Sequence, residues 1–239
     1  MNKKPCSAIV LSAGQGKRMG TTIQKQYIQL DGREIICHTL DVFQQSSVID
    51  DIILVVGKGQ ENYCQKEIVE KYHFTKVQKI IEGGAERYHS VLNGLREITH
   101  KGYVFIHDGA RPFVSEEIIQ RTYDSVCIFG ACVVGMPVKD TVKIADKETF
   151  ISETPERSFV WQVQTPQVFQ TDMIKDAYEK MMQSGYSQAT DDAMVVEKML
   201  GKKVKLVEGS YENIKITTPE DLDIAKVFLK RKYDDERRT

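Results

Sequence analysis

Apolar residues in the first half of the chain fall into short continuous runs, which alternate with stretches where apolar positions recur at helical spacing. Continuous runs of this length are typical of strands covered on both faces. The alternation predicts an α/β fold, with a parallel sheet and helices on both faces. The predicted strands are 6–11, 52–56, 77–81 and 103–106, and the predicted helices are 35–43, 62–72 and 86–98.

Two loops follow predicted strands, one after Leu11 and one after Ile106. In open α/β sheets, ligands bind beyond the carboxyl ends of the strands, so both loops are candidates for a ligand site. A further helix should begin after the second loop, because Ser115 precedes Glu116 and Glu117 in the manner of an N-cap and an acidic first turn.

The alternating pattern ends at Met136. Residues 137 to about 165 are rich in threonine and charge, and they predict a β-arm that leaves the sheet. No internal repeat or linker interrupts the chain, so residues 1–239 are predicted to form a single domain. After the arm, helices are predicted to begin near Thr171, Asp191 and Pro219, and residues 213–217 are predicted to form an edge strand.

Composition places the chain among ordinary globular proteins. It has 239 residues, of which 41% are apolar and 28% charged, and its formal net charge is −1. No overall basic field therefore exists to attract nucleic acid or an anionic membrane, and no apolar stretch is long enough to span a membrane. The five cysteines are scattered without a CxxC pair, which indicates free thiols in a reducing cytoplasm.

The loop at residues 12–20 is rich in glycine but matches neither familiar phosphate-binding motif. A Walker A loop requires Ser or Thr where Arg18 stands, and the dinucleotide fingerprint requires glycine where Met19 stands. The loop carries the cations Lys17 and Arg18, and Lys25 follows shortly. Small residues let backbone N–H groups approach phosphate oxygens, so a triphosphate site is one interpretation. A surface turn with solvated basic residues is the other.

A second charged constellation follows the fourth predicted strand. Asp108 can bind Mg²⁺ or accept a hydrogen bond from a ligand hydroxyl, and Arg111 can hold a phosphate. The alternative is that Asp108 caps the next turn with Arg111 as its partner. Asp191 and Asp192 favour a helix start over a metal site, and Lys215 by itself is an ordinary solvated lysine.

No catalytic nucleophile can be argued from the sequence. The histidines have no metal-ligand spacing, and no Ser-His-Asp or Cys-His arrangement stands out. The inventory is one of cations and a carboxylate. This inventory is typical of phosphoryl transfer, in which an enzyme mainly positions groups and neutralises charge.

Taken in order, the motifs resemble those of one family, the 2-C-methyl-D-erythritol 4-phosphate cytidylyltransferases of non-mevalonate isoprenoid biosynthesis. Each motif alone is weak, but together they cover almost the whole chain and are highly specific. The segments are Ser-Ala-Gly-Gln-Gly-Lys-Arg-Met-Gly (12–20), Lys-Gln-Tyr (25–27), His-Thr-Leu (38–40), Gly-Gly-Ala-Glu-Arg (83–87) with Ser-Val (90–91), His-Asp-Gly-Ala-Arg-Pro (107–112), Pro-Val-Lys-Asp-Thr-Val-Lys (137–143), Gln-Thr-Pro-Gln-Val-Phe (164–169), Thr-Asp-Asp-Ala (190–193) and Asn-Ile-Lys-Ile-Thr-Thr-Pro-Glu-Asp-Leu (213–222).

The resemblance implies a Rossmann-like nucleotidyltransferase fold, with a mostly parallel sheet and a protruding β-arm through which two copies form a homodimer. It also implies a Mg²⁺-dependent reaction of CTP with a small alcohol phosphate. In that reaction a phosphate oxygen of the acceptor attacks the α-phosphorus of CTP directly.

The resemblance also implies residue roles. Arg18 and Lys25 would stabilise the charge-rich transition state, and Lys215 would hold the α-phosphate. Thr141 and Arg157 would reach across from the arm of the partner subunit. The nucleotide would be bound by Ser12, Ala13, Gly14, Gly16, Gly84 and Ser90, and methylerythritol phosphate by Asp108, Arg111, Thr141, Arg157 and Thr165, with Asp108 also binding Mg²⁺.

Two alternatives stay open. Ribitol 5-phosphate cytidylyltransferase shares the fold and the CTP chemistry, but it typically shows Lys-Gln-Phe where this chain has Tyr27 after its lysine and glutamine. A non-catalytic nucleotide-binding module is the other alternative, and the intact cations argue against it. Departures from the family pattern, such as Ser12 and Gly109 in place of alanine, affect loop stiffness rather than chemistry.

Overall fold

The computed structural model describes residues 3–14, 19 and 24–236. The strands are β1 (Cys6–Ser12), β2 (Gln29–Leu30), β3 (Arg33–Glu34), β4 (Asp51–Val56), β5 (Val77–Glu82), β6 (Tyr103–Asp108), β7 (Ala131–Pro137), β8 (Ile144–Ala145), β9 (Ile151–Glu153), β10 (Trp161–Gln170) and β11 (Lys205–Glu208). The helices are α1 (Ile35–Gln45), α2 (Glu61–Tyr63, continued by a π-helical segment Cys64–Glu70), α3 (Arg87–Glu97), α4 (Glu116–Phe129), α5 (Thr171–Ser184), α6 (Asp192–Leu200) and α7 (Pro219–Glu236).

The described residues form a central sheet of seven strands in the order β5-β4-β1-β6-β10-β7-β11. Neighbours among β5, β4, β1 and β6 run parallel, and β11 runs parallel to β7. Strand β10 is inserted antiparallel to both β6 and β7. The sheet is therefore mostly parallel, and the predicted α/β fold class is confirmed.

Helices cover both faces of the sheet because successive side chains of a buried strand point in opposite directions. In β1, Ala8 and Val10 belong to the core cluster that includes residues of α1 and α4. Ile9, between them, belongs to the cluster that includes residues of α3, α5 and α6. This double covering explains why the strands are continuous apolar runs rather than alternating ones.

Two helices, α4 and α7, begin where the capping residues in the sequence predict. The Ser115 hydroxyl accepts a hydrogen bond from the N–H of Ile118, which satisfies a donor of the first turn of α4. Pro219 is the first residue of α7, where its missing N–H costs nothing. Helix α7 continues through the charged residues after Leu229 as far as Glu236.

The chain leaves the sheet after β7 and returns in β10, and the intervening residues 138–160 form the arm. Within the arm, β8 and β9 pair antiparallel as a small hairpin. Large apolar side chains are exposed there: Phe150 at 69%, Ile151 at 64% and Phe159 at 79%. The range predicted for the arm ends at about residue 165, whereas Trp161 already pairs with Pro137 in the central sheet.

The edge strand predicted at residues 213–217 is wrong. That segment forms no strand, because it crosses the end of β6 and makes a single backbone bond there, from Ile216 N–H to the carbonyl of Ala110. The edge position beside β7 is instead taken by β11.

Among the described residues, no helix is long and apolar enough to cross a membrane.

Candidate active site

A cavity of about 690 Å³ opens beyond the carboxyl ends of β1 and β6. These two strands are parallel neighbours, with Leu11 in register with Asp108, so the loops that follow them meet. The cavity thus brings together most of the predicted nucleotide-site residues that the structure describes, along with one predicted acceptor residue. The predicted residues that line it are Ser12, Ala13, Gly14, Lys25, Gly84, Ser90, Asp108 and Lys215.

Close backbone contacts fix the walls of this cavity. The N–H of Gly109 donates to the carbonyl of Leu11 over 2.8 Å, which ties the two loops together. A side chain at Gly83 would place its Cβ 2.5 Å from Cβ of Ala13 and 2.8 Å from Oγ of Ser90, so that position requires glycine. The hydroxyl of Ser90 also accepts a hydrogen bond from the N–H of Gly84 over 3.0 Å.

Asp108 is the centre of a cluster of cations. Its Oδ2 lies 2.8 Å from Nζ of Lys215 and 3.8 Å from Nε of Arg111, and its Oδ1 lies 3.5 Å from Nε of Arg87. Burial would raise the pKa of this carboxyl, but the charges of Arg87, Lys215 and Arg111 more than offset it and hold the pKa well below its usual range. Asp108 is therefore ionised at neutral pH.

His107 precedes Asp108, and its ring lies within hydrogen-bonding distance of the Arg111 carbonyl and the Thr165 hydroxyl. Its Nε2 lies 3.2 Å from the carbonyl of Arg111, which can only accept, so Nε2 carries the proton. Burial lowers the pKa of His107 to about 4, so the ring is neutral and its Nδ1 is an acceptor. The hydroxyl of Thr165, 3.1 Å away, must then donate to Nδ1, while it accepts from the N–H of Asp108.

Asn213 ties the segment that carries Lys215 to the rest of the site. The side-chain amide of Asn213 donates to the backbone carbonyl of Thr165 over 2.9 Å, and the backbone carbonyl of Asn213 accepts from Nη1 of Arg111 over 2.7 Å. Nε of Arg111 is buried and makes no hydrogen bond within the described residues. These bonds explain how an irregular segment can hold a lysine at a fixed position above β6.

A 3₁₀ turn, Lys25–Tyr27, holds the second predicted lysine at the cavity. The side-chain amide of Gln26 is buried and donates to the carbonyl of Ser12 over 2.6 Å, so the turn is fastened to the end of β1. On the other side, the hydroxyl of Tyr27 lies 3.0 Å from Sγ of Cys64. Lys25 is thus positioned by buried neighbours on both sides of the turn.

Four predicted site residues that the structure describes do not line this cavity, namely Arg111 and Thr165, which lie beside Asp108, and Thr141 and Arg157. Thr141 and Arg157 are exposed on the arm, where Nη1 of Arg157 donates to the carbonyl of Lys139 over 3.0 Å. Gly16 and Arg18 lie outside the described residues.

Comparisons with known proteins agree with this geometry. A family model for 2-C-methyl-D-erythritol 4-phosphate cytidylyltransferase matches residues 6–231. The chain belongs to this family. It is 50% identical over 225 residues to the 2-C-methyl-D-erythritol 4-phosphate cytidylyltransferase of Lachnospira eligens, covering 94% of this chain and 99% of that protein. The protein of the same name from Alkaliphilus oremlandii is 48% identical over 234 residues, covering 98% of each chain.

The fold comparison points the same way. A crystal structure of 4-diphosphocytidyl-2C-methyl-D-erythritol synthase from Anaerococcus prevotii matches this cytidylyltransferase with a TM-score of 0.85 at 36% identity, covering 95% of this chain and 97% of that one. The family catalyses the CTP-dependent step of non-mevalonate isoprenoid synthesis, and this chain is accordingly a nucleotidyltransferase enzyme.

Sequence reasoning missed two charged residues of the cytidylyltransferase site, Arg87 and Asp192. Nη1 and Nη2 of Arg87 each lie 2.8 Å from an oxygen of Asp192, whose side chain is fully buried. Removal of Arg87 would leave the buried Asp192 carboxylate without its partner, and the loss of one partner of a buried ion pair costs about 3–5 kcal/mol. One local signal was available: Arg87 begins a helix, where the dipole disfavours a cation without an acidic partner.

The structure also decides between the two interpretations of Asp191 and Asp192. Oδ1 of Asp191 accepts from the N–H of Met194 over 2.8 Å and caps α6, while Asp192 is paired with Arg87. Both carboxylates are therefore occupied within the protein, as the helix-start prediction requires. Among the described residues, no three His, Cys, Asp or Glu side chains come together as a metal site.

Proposed function

We propose that this enzyme transfers CMP from CTP to 2-C-methyl-D-erythritol 4-phosphate and releases pyrophosphate. The observation that carries the proposal is the cluster at Asp108, where a carboxylate and the cations Lys215, Arg87 and Arg111 lie beside a cavity that Lys25 also lines. Such a cluster offers a carboxylate to hydroxyl groups and cations to phosphate oxygens, the two kinds of group that the acceptor carries.

The reaction needs positioning and charge neutralisation rather than a protein nucleophile. A phosphate oxygen of the acceptor forms a bond to the α-phosphorus of CTP, and the bond from that phosphorus to the oxygen bridging to the β-phosphorus breaks, which releases pyrophosphate. Negative charge crowds the α-phosphorus in the transition state. Lys25, Lys215 and Arg18 would stabilise it, with Lys215 on the α-phosphate.

The nucleotide is assigned to the side of the cavity formed by the glycine-rich backbone. Small residues at Ala13, Gly14 and Gly84 let N–H and carbonyl groups approach the cytosine and the phosphates closely, and Ser12 and Ser90 flank them. Gly16 belongs to the same loop in sequence and is assigned to the same role.

The acceptor is assigned to Asp108, which lines the cavity, and to Arg111 and Thr165 beside it. The Thr165 hydroxyl already donates to His107, so it can accept a hydrogen bond from an alcohol but cannot donate one to a phosphate. Asp108 would likewise accept from a hydroxyl, and Arg111 would hold the phosphate.

The acceptor site would be completed by Thr141 and Arg157 from the arm of a second subunit. The support for this homodimer is the arm itself, which carries Phe150, Ile151 and Phe159 as exposed apolar side chains. Large apolar side chains exposed on a protruding segment are typical of an association surface.

Mg²⁺ would be held mainly by the triphosphate, with Asp108 as its protein ligand. One carboxylate together with substrate phosphates is a usual environment for this ion, and the Arg87 nitrogen lies 3.5 Å from Oδ1 of Asp108, too far for a short hydrogen bond. When bound, the ion would neutralise part of the charge on the triphosphate. The free buried thiols Cys6, Cys37, Cys64 and Cys132 support a place in the reducing cytoplasm. The formal net charge of −1 supports small molecules rather than nucleic acid or a membrane as ligands.

Pyrophosphate release with two different acceptors tests the proposal. The enzyme is incubated with CTP and Mg²⁺ and either methylerythritol 4-phosphate or ribitol 5-phosphate. Release with the first acceptor is expected. Release with ribitol 5-phosphate alone would identify the other cytidylyltransferase, and tight CTP binding without any release would indicate a non-catalytic module.

A further inference from the structure

Asp192 is a fully buried carboxylate that has no assigned role in the proposed reaction. It receives three charge-assisted or short hydrogen bonds: two from the terminal nitrogens of Arg87 at 2.8 Å and one from the hydroxyl of Tyr178 at 2.6 Å. The bonds from Arg87 are bidentate, which fixes the plane of the guanidinium as well as its position.

The pairing with Asp192 determines which guanidinium nitrogen of Arg87 faces Asp108. Since Asp192 takes both terminal nitrogens, Nε remains to face Oδ1 of Asp108, at 3.5 Å. That distance supplies attraction but no short hydrogen bond. The carboxylate of Asp108, which lines the cavity, is therefore kept ionised and oriented without a short hydrogen bond from Arg87 to Oδ1.

The same strand anchors both carboxylates. The side-chain carbonyl of Gln167 accepts from the N–H groups of Asp192 and Ala193 at 3.0 and 2.9 Å, which fastens the start of α6 to β10. Two residues earlier on β10, Thr165 accepts from the N–H of Asp108. The separation between Asp192 and Asp108 is thus set by one strand, and Arg87 spans it.

We infer that Asp192 is a positioning residue for the acceptor: it holds the fork of Arg87 away from Asp108, so that the Asp108 carboxylate is free to bind the alcohol phosphate. The inference rests on the proposed role of Asp108. Without Asp192, the fork of Arg87 would turn and close on Asp108, in competition with the acceptor.

Four variants test the inference in the full-length enzyme: Asp192→Asn, Arg87→Gln, the double variant Asp192→Asn/Arg87→Gln, and Tyr178→Phe. Asp192→Asn should raise the KM for methylerythritol phosphate by about 10- to 100-fold, as losses of supporting contacts around a binding group do, with little change in the KM for CTP. Tyr178→Phe removes one bond to Asp192 but keeps the bidentate pair, so its acceptor KM should stay near that of wild type.

The double variant separates positioning from stability. Arg87→Gln leaves a buried charge without its partner and should unfold at a lower urea concentration than Asp192→Asn/Arg87→Gln, in which two amides face each other. Neither Arg87→Gln nor the double variant keeps a guanidinium that could close on Asp108, so positioning predicts a lower acceptor KM for both than for Asp192→Asn, even though Arg87→Gln is the less stable of the two. An acceptor KM of Arg87→Gln or of the double variant as high as that of Asp192→Asn would overturn the inference, as would an equal rise in both Michaelis constants for Asp192→Asn.

The wild-type reaction reports on the proposed function separately. If wild type releases no pyrophosphate with methylerythritol phosphate, that function fails, and the calorimetric Kd of methylerythritol phosphate for the same variants then tests the positioning. Weaker binding to Asp192→Asn than to Tyr178→Phe supports the role of Asp192, and equal binding to both overturns it.

Discussion

The ammonium nitrogen of Lys215 lies 2.8 Å from Oδ2 of Asp108, so two residues from distant parts of the chain form an ion pair beside the cavity that both line. The lysine is more than one-third exposed, whereas the carboxylate is nearly buried. Such a pair holds the lysine at a defined place and still leaves part of its ammonium accessible to a phosphate.

Replacement of Lys215 by methionine removes the charge while keeping an unbranched side chain. If the ammonium binds the α-phosphate, kcat should fall about 100-fold or more, because the interaction strengthens as charge accumulates in the transition state. Steady-state pyrophosphate release measures this. Lys226→Met is the matched control, since that lysine is exposed on α7 and paired with Asp223. Equal activities of the two variants would rule out the role.

Lys25→Ala should lower kcat by a comparable factor, about 100-fold or more, for the same reason. Lys58 offers a strict comparison, because it lines the same cavity but is exposed and has no assigned role. Solvent screens exposed charges, so Lys58→Ala should have a much smaller effect. If both substitutions lowered kcat equally, the general charge of the cavity would matter rather than the position of Lys25.

Arg157→Ala should raise the KM for the alcohol phosphate far more than the KM for CTP, because its assigned ligand is the acceptor. Equal changes in both constants would place Arg157 outside the acceptor site.

Mixing subunits tests whether the arm serves a partner's site. The Lys25→Ala and Arg157→Ala proteins are each expected to be weakly active. In the proposed homodimer, random exchange of subunits would make half of the dimers heterodimers with one intact shared site each, so about a quarter of wild-type activity should return. No recovery in confirmed heterodimers would place each whole site within one chain.

His107 predicts a pH dependence of stability. Its pKa is lowered from 6.5 to about 4 by burial, so the unfolded chain binds more protons than the folded one between these values. The stabilisation by neutral His107 is complete above about pH 6.5 and is lost as the pH falls towards 4, by about 3 kcal/mol in all. Urea unfolding of wild type and His107→Gln at pH 7 and pH 5 isolates this contribution. The variant should show the smaller loss of stability, and equal losses would contradict the assignment.

Much of the fold follows from local sequence. The continuous apolar runs of β1, β4 and β6 record burial on both faces, and hence a sheet between two helical layers. Strand β10 could not be recognised in this way, because it is polar over much of its length and apolar mainly at Val168 and Phe169. Its place in the sheet depends on pairing with β6 and β7, which local pattern does not encode.

Some residues of the candidate site could likewise be named from the sequence, and others could not. Lys25, Asp108 and Lys215 could be named from motifs, but the Asp192–Arg87 bridge joins residues far apart in sequence and becomes visible only once the helices are packed. The predicted strand at residues 213–217 failed because the position of that segment is fixed by Asn213 and Ile216, through single bonds to other segments rather than through a ladder.

The proposed reaction joins a phosphate of methylerythritol 4-phosphate to the α-phosphorus of CTP at this cavity. Phosphorus NMR of the reaction mixture observes that bond directly. With CTP, Mg²⁺ and methylerythritol 4-phosphate, we expect two coupled resonances of a new diphosphate ester, together with free pyrophosphate. Release of CMP without a coupled pair, or a coupled pair formed only with ribitol 5-phosphate, would contradict it.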